Sequence, residues 1–383
     1  MPTLRRAARA ESAKQTDSTP TTTRASKRAS AASAKADEST EESAVETKSP
    51  KEKRQVKPKE KKQAKEEAVV KKDEPPVAPT RPKLPRWAQF PLLSILSFSM
   101  ASMGYSLLGA VTKGELASVS RSQDTWGEVA ILAGWRLTEL GVGWFGDLDS
   151  LDVAALDLLS HGPSLYLLSA FYGLTPLTAR LALAIDILSA AAPFYLLRPL
   201  SAVHTPSAKV YNRELASWGM QLYTGTLATV IYSVIVVLSL RFLLPRVMVM
   251  YFAGIPTLEP AYRASYAAIL PLTLQFGAAA SLLIYAPFAT TGKAAEDDKI
   301  DEFDPATATL RETVAWNFLG YTAKTRVIVR RTAVVVLVTC INTYLACTMT
   351  IFGIEPAGAA AYAAVWASAA LLSGLGLAFV GGI

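Results

Sequence analysis

Trp87 divides this chain. No Phe, Tyr or Trp precedes it, and the 13 Phe, 14 Tyr and 7 Trp all lie from that position onward, among long runs without charge. A bilayer core selects about 20 consecutive apolar residues and tolerates few ionised groups. The pattern therefore predicts an all-α, multi-span transmembrane helical bundle over 87–383, preceded by a long disordered basic cytosolic tail over 1–86.

Charge follows the same boundary. Residues 1–86 hold 22 Lys and Arg against 13 Asp and Glu, net +9, whereas residues 87–383 are net −2; together they give the chain's +7. The tail is built of Ala, Ser, Thr, Lys, Glu and Pro. It cannot bury enough apolar surface to offset a chain entropy of about 1–2 kcal/mol per residue. Arg5, Arg6 and Arg9 have no apolar stretch behind them, and Glu11 and Asp17 soon interrupt the basic start. Neither a signal peptide nor a mitochondrial presequence is expected.

Five segments lack Asp, Glu, Lys and Arg over a crossing length: 87–112, 215–240, 264–292, 332–354 and 356–383. A sixth, 176–197, qualifies despite Arg180 and Asp186. Spans are thus expected near 91–111, 176–197, 217–240, 264–288, 332–353 and 357–382. Two stretches are ambiguous. In 125–146, Glu128, Arg136 and Glu139 lie near one helical face, as in an interfacial amphipathic helix. In 158–174, Gly162-Pro163 and Gly173 are read as breaks that leave an interfacial or re-entrant piece. Either stretch is an additional span if those readings fail.

The distribution of Lys and Arg supports six spans. The tail, the 198–217 loop (Arg198, Lys209, Arg213) and the 289–331 loop, with seven cations, then share one side. The positive-inside rule makes that side cytosolic. Arg241, Arg246 and Arg263 on the other side are the exception. Cys340 and Cys347 stand two helical turns apart, about 10 Å at 1.5 Å per residue, beyond disulfide reach. Asn212, Asn317 and Asn342 form no N-x-Ser/Thr acceptor. An endomembrane such as the endoplasmic reticulum or nuclear envelope is the expected location.

Motifs of soluble chemistry are missing. His161 and His204 are the only histidines, and no HExxH, CxxC, GxGxxG or GxxxxGK[ST] occurs. No cofactor and no metal are expected, and His161, in Ser-His-Gly-Pro, reads as a loop residue. Asp297, Asp298 and Asp301 spell DDxxD, the spacing by which prenyl-diphosphate enzymes hold magnesium. Six acids crowd that loop without a second aspartate motif, so a solvated loop is the reading.

Polar residues inside spans are better candidates. A charge at mid-span costs about 2.5–3.5 kcal/mol on insertion scales unless paired or turned inward, so Asp186 must face protein or water. Arg136 and Glu139 are the expected neighbours, and Gln221, Gln275 and Asn342 supply polar groups inside other spans. Small-residue pairs such as Gly277/Ser281 predict close helix approach, within the chain or in an oligomer. In the tail, Lys51, Lys53, Arg54, Lys57, Lys59, Lys61, Lys62 and Lys65 form a segment suited to anionic lipid headgroups or, electrostatically, to nucleic acid. Ser30 and Ser49 are candidate phosphorylation sites that would subtract charge there. Two functions follow as expectations. The first is a non-enzymatic anchor or scaffold whose tail contacts lipid, chromatin or protein. The alternative is a small-solute or ion transporter or channel using Asp186 with Arg136 and Glu139.

Overall fold

A computed structural model describes residues 85–294, 297, 307–319 and 321–381. Among them the chain is all-helical, with eight long helices: α1 (Arg86–Val111), α2 (Trp126–Phe145), α3 (Ser150–Phe171), α4 (Pro176–Leu197), α5 (Trp218–Tyr251), α6 (Tyr266–Ala289), α7 (Ala323–Thr350) and α8 (Pro356–Val380). Six of them, all but α2 and α3, are long and apolar enough to cross a membrane. The tail and its candidate residues, Lys51 to Lys65, Ser30 and Ser49, lie outside the described residues.

Local chemistry sets the helix starts. Thr125 caps α2 by accepting from the Glu128 amide, and Glu128 accepts in return from the Asp124 amide at 3.1 Å. Asp149 caps α3 through the amides of Leu151 and Asp152. Thr175 caps α4, with Pro176 at the first helical position.

Glycines then let the helices approach. A Cβ on Gly277 would stand 2.1 Å from Thr229 Oγ1, so α6 packs directly on α5, where Thr224 and Ser281 hydroxyls meet at 2.6 Å. Gly374 of α8 meets Thr332 of α7 in the same way. These contacts place the small-residue stripes inside the bundle. Trp366 of α8 fills the centre, with its ring 5.2 Å from Phe276 and 6.0 Å from Tyr166.

Contact between connecting segments defines two faces. On one face, the α2–α3 turn docks on the 198–204 segment: Arg198 donates to the carbonyls of Trp144 and Leu148, and Ser201 N donates to Asp149. On the opposite face, Arg121 N donates to Thr350 O, Ala253 N to Gly353 O, and the Thr175 amide and hydroxyl to Glu115. Helices α2 and α3 therefore run the full distance between the faces. At 1.5 Å per residue their 20 and 22 residues cover about 30 Å, the thickness of a hydrocarbon core.

The stretch 125–146 thus holds the continuous helix α2, and 158–174 falls mostly within α3 rather than breaking at Gly162-Pro163. α3 continues through Gly162-Pro163 and is the most enclosed long helix near the site, with 15 of its 22 residues buried. Proline removes the donor to Leu159 O, and Thr339 of α7 supplies a hydroxyl there at 3.4 Å. Gly162 is required for packing, since a Cβ would fall 2.5 Å from Phe276. Tyr362 of α8 closes the region by donating to Pro163 O at 2.7 Å. Neighbouring helices thus satisfy what a lone helix could not.

Candidate functional site

The bundle gathers its charges where α2, α3 and α4 meet. Arg136 and Glu139 are three residues apart on α2, Asp157 and His161 four apart on α3, and Asp186 and Ser189 three apart on α4, so each pair faces one way. Arg136 Nη1 lies 3.3 Å from Glu139 Oε2 and 3.4 Å from Asp157 Oδ2. Its Nη2 donates to Asp186 O at 3.2 Å and to Ser189 Oγ at 3.1 Å. One guanidinium ties three helices. The Glu139 and Asp157 side chains are only 3 % and 4 % exposed, which places both carboxylates out of bulk solvent.

The remaining partners complete a network. His161 Nε2 stands 3.9 Å from Glu139 Oε2, while its Nδ1 lies 3.0 Å from Ser160 Oγ. Tyr105 of α1 donates to Asp186 Oδ1 at 2.7 Å. Trp135 donates to Asn342 Oδ1, and Asn342 Nδ2 donates to Ser160 O, each at 3.0 Å. Glu139 Oε1 is buried without a hydrogen-bond partner. A cavity of about 340 Å³ adjoins the cluster, bounded by Tyr105, Trp135, Glu139, His161, Asp186 and Asn342 and reaching Ser120 and Thr350 at the second face.

The structure thus brings Asp186, Arg136, Glu139 and Asn342 together. It separates Gln275, which is exposed and lines a different cleft beside Arg180 and Pro271. His161 sits within α3, where the sequence reading had a loop. Tyr105, Asp157 and His161 join the site unforeseen; the i, i+4 spacing of Asp157 and His161 was the available signal. Charge is unbalanced here. Glu139 and Asp157 share one guanidinium with the Asp186 carboxylate held nearby on Tyr105, and buried charges demand compensation by a proton, a cation or a paired group.

A second cluster holds the first face. Donor atoms of Asp149, Asp152 and His204 lie within 4.8 Å of one another, close enough to grip a cation. Their geometry serves another purpose. His204 Nδ1 is 2.6 Å from Asp149 Oδ2, Asp149 also accepts three backbone amides, and Arg331 donates to Asp152 Oδ1 at 2.7 Å. Burial raises the Asp149 carboxyl, yet the bonds from His204, Asp152 and Ser201 outweigh it and hold that group well below the usual range. Burial depresses His204, and the bond to Asp149 more than reverses this, so its ring titrates above the ordinary histidine value. The cluster locks the 198–204 segment onto α3.

The acidic loop also resolves in part. Asp297 is buried, accepting from the amides of Ala294 at 2.9 Å and Ala323 at 2.8 Å, so it is a strap at the start of α7 rather than a solvated ligand. Asp298 and Asp301 lie outside the described residues. Comparison with protein-family models, with curated proteins and with solved structures finds no match, so the functional reading rests on this geometry alone.

Proposed function

We propose that the chain is a non-enzymatic integral membrane protein that moves protons or small cations through the α2–α3–α4 cluster, with α2 and α3 as additional spans in an eight-span bundle. One observation carries this: two buried carboxylates, Glu139 and Asp157, share a single guanidinium beside the half-buried Asp186, and with Glu139 Oε1 unpartnered the group borders a cavity reaching one face. Excess negative charge in a low-dielectric site attracts a proton or cation, and His161, whose Nε2 stands 3.9 Å from Glu139 Oε2, adds a second group able to carry a proton. Trp135 supplies a wall suited to an organic cation.

The first face carries Arg198, Lys209, Arg213, Lys293, Lys324, Arg326, Arg330 and Arg331, whereas the second carries Lys113, Arg121, Arg180, Arg241, Arg246 and Arg263. This asymmetry supports a cytosolic first face, and with it the tail and C-terminus, in an endomembrane such as the reticulum or nuclear envelope. The competing reading is an anchor whose tail contacts anionic lipid, nucleic acid or protein. Flux into proteoliposomes loaded with a pH-sensitive dye separates the two. Full-length protein should acidify or alkalinise the lumen under an imposed gradient of pH or small monovalent cations, and Glu139→Gln should cut that rate at least tenfold with unchanged elution profile and helicity. Rates equal to protein-free vesicles would leave the anchor reading in place.

A further inference from the structure

A second cavity, of about 520 Å³, opens where α2, α6 and α7 end against the 198–217 loop on the first face. Its lining is largely apolar, with Val142, Val203, Leu283, Val327 and Val334. Arg330, which is exposed, and Arg331 also line it, and both immediately precede the uncharged run 332–354. Those arginines therefore lie at the level where hydrocarbon gives way to headgroups.

Their neighbours differ in what they leave available. Arg331 is committed to Asp152 and to Leu283 O. Asp147, the acid at the rim, stands 3.8 Å from Arg198. Arg330 is exposed and makes no hydrogen bond or ion pair with any described residue. A guanidinium with no ion pair among the described residues thus stands beside an apolar chamber, in a size range that takes a lipid-sized fragment.

We propose that this cavity binds an anionic phospholipid from the leaflet on the first face, with an acyl segment inside and the phosphate on Arg330. Charge and depth both select this occupant. A free phosphate would satisfy Arg330 and leave the apolar walls wet, and an uncharged chain would fill the walls and ignore Arg330.

Native mass spectrometry of the full chain in neutral detergent tests the assignment, with short-chain phosphatidylserine, short-chain phosphatidylcholine and inorganic phosphate as probes. The serine lipid should bind saturably at one copy per chain and at least tenfold more tightly than the choline lipid. Arg330→Gln should remove that preference, and Val203→Trp, which fills the chamber, should abolish binding of both. Because Arg330 is exposed, its variant keeps the test decisive even if Val203→Trp does not fold. Absent saturable binding, an unchanged preference in Arg330→Gln, or protection by inorganic phosphate equal to that of the lipid would each overturn the proposal.

Discussion

Arg136→Met removes the single guanidinium that the two buried carboxylates of Glu139 and Asp157 share. The side chain makes two contacts to carboxylates, at 3.3 and 3.4 Å, and two to neutral oxygens, at 3.2 and 3.1 Å. Bonds to charged groups contribute about 1.5–3 kcal/mol and neutral ones about 1 kcal/mol, so their nominal sum is about 5–8 kcal/mol. Breaking buried pairs experimentally costs about 3–5 kcal/mol, because the network relaxes and stranded carboxylates take up protons. The measured value should fall in that lower range. For a body of this size the apparent melting point should drop by about 6–12 °C, read by scanning fluorimetry in detergent at fixed pH. Coupling is the sharper part. Glu139→Gln added to Arg136→Met should recover about 1–3 kcal/mol, since it deletes one stranded charge. A drop below about 1 kcal/mol for the single variant, or strict additivity in the double, would refute the network.

Three further outcomes are expected. Gly277→Ala should destabilise the bundle by about 1–3 kcal/mol, because the new methyl meets Thr229 Oγ1 at 2.1 Å and Gly225 O at 2.4 Å; an unchanged melting point would contradict the α5–α6 packing. Tyr362→Phe should cost about 1 kcal/mol through the lost bond to Pro163 O, and a value near zero would mean that this carbonyl finds another donor. The Asp149–His204 pair should stabilise the 198–204 segment fully below the ordinary histidine value of about 6.5, with Asp149 ionised, and lose that contribution as pH rises through the elevated His204 value. Hydrogen exchange corrected for intrinsic rates should therefore show these amides loosening on the alkaline side, and a profile identical in His204→Gln would exclude the pair as the cause.

What the sequence disclosed depended on which solvent each residue meets. α1 and α4 stand at the rim, with 22 % and 28 % of their most apolar windows buried in protein, and lipid contact enforced an uninterrupted apolar run that reads directly as a span. α3 faces its neighbours instead. There Asp152, Asp157 and His161 are tolerated because Arg331, Arg136 and Glu139 stand beside them, and hydropathy counts their cost without seeing the partners. Gly162-Pro163 failed as a break for a related reason, since Thr339 and Tyr362 come from elements 176 and 199 residues away from Pro163. Asp186, Arg136 and Glu139 were legible as a group because an isolated mid-membrane charge has so few solutions. His204 and Asp149 were not, because only the fold brings their loops together.

Sidedness of the α2–α3 turn decides whether the charge cluster lies in the membrane. With Cys340 and Cys347 replaced by Ala, single Cys variants Lys113→Cys, Asp147→Cys and Lys209→Cys in sealed vesicles can be labelled with a membrane-impermeant maleimide. Asp147 is 91 % exposed at its side chain, so its cysteine is reachable from its own side. Helices α2 and α3 crossing the bilayer require Asp147→Cys to label from the same side as Lys209→Cys and the opposite side from Lys113→Cys. Labelling of positions 113 and 147 together would put both helices outside the hydrocarbon core and end the account of a buried translocation site.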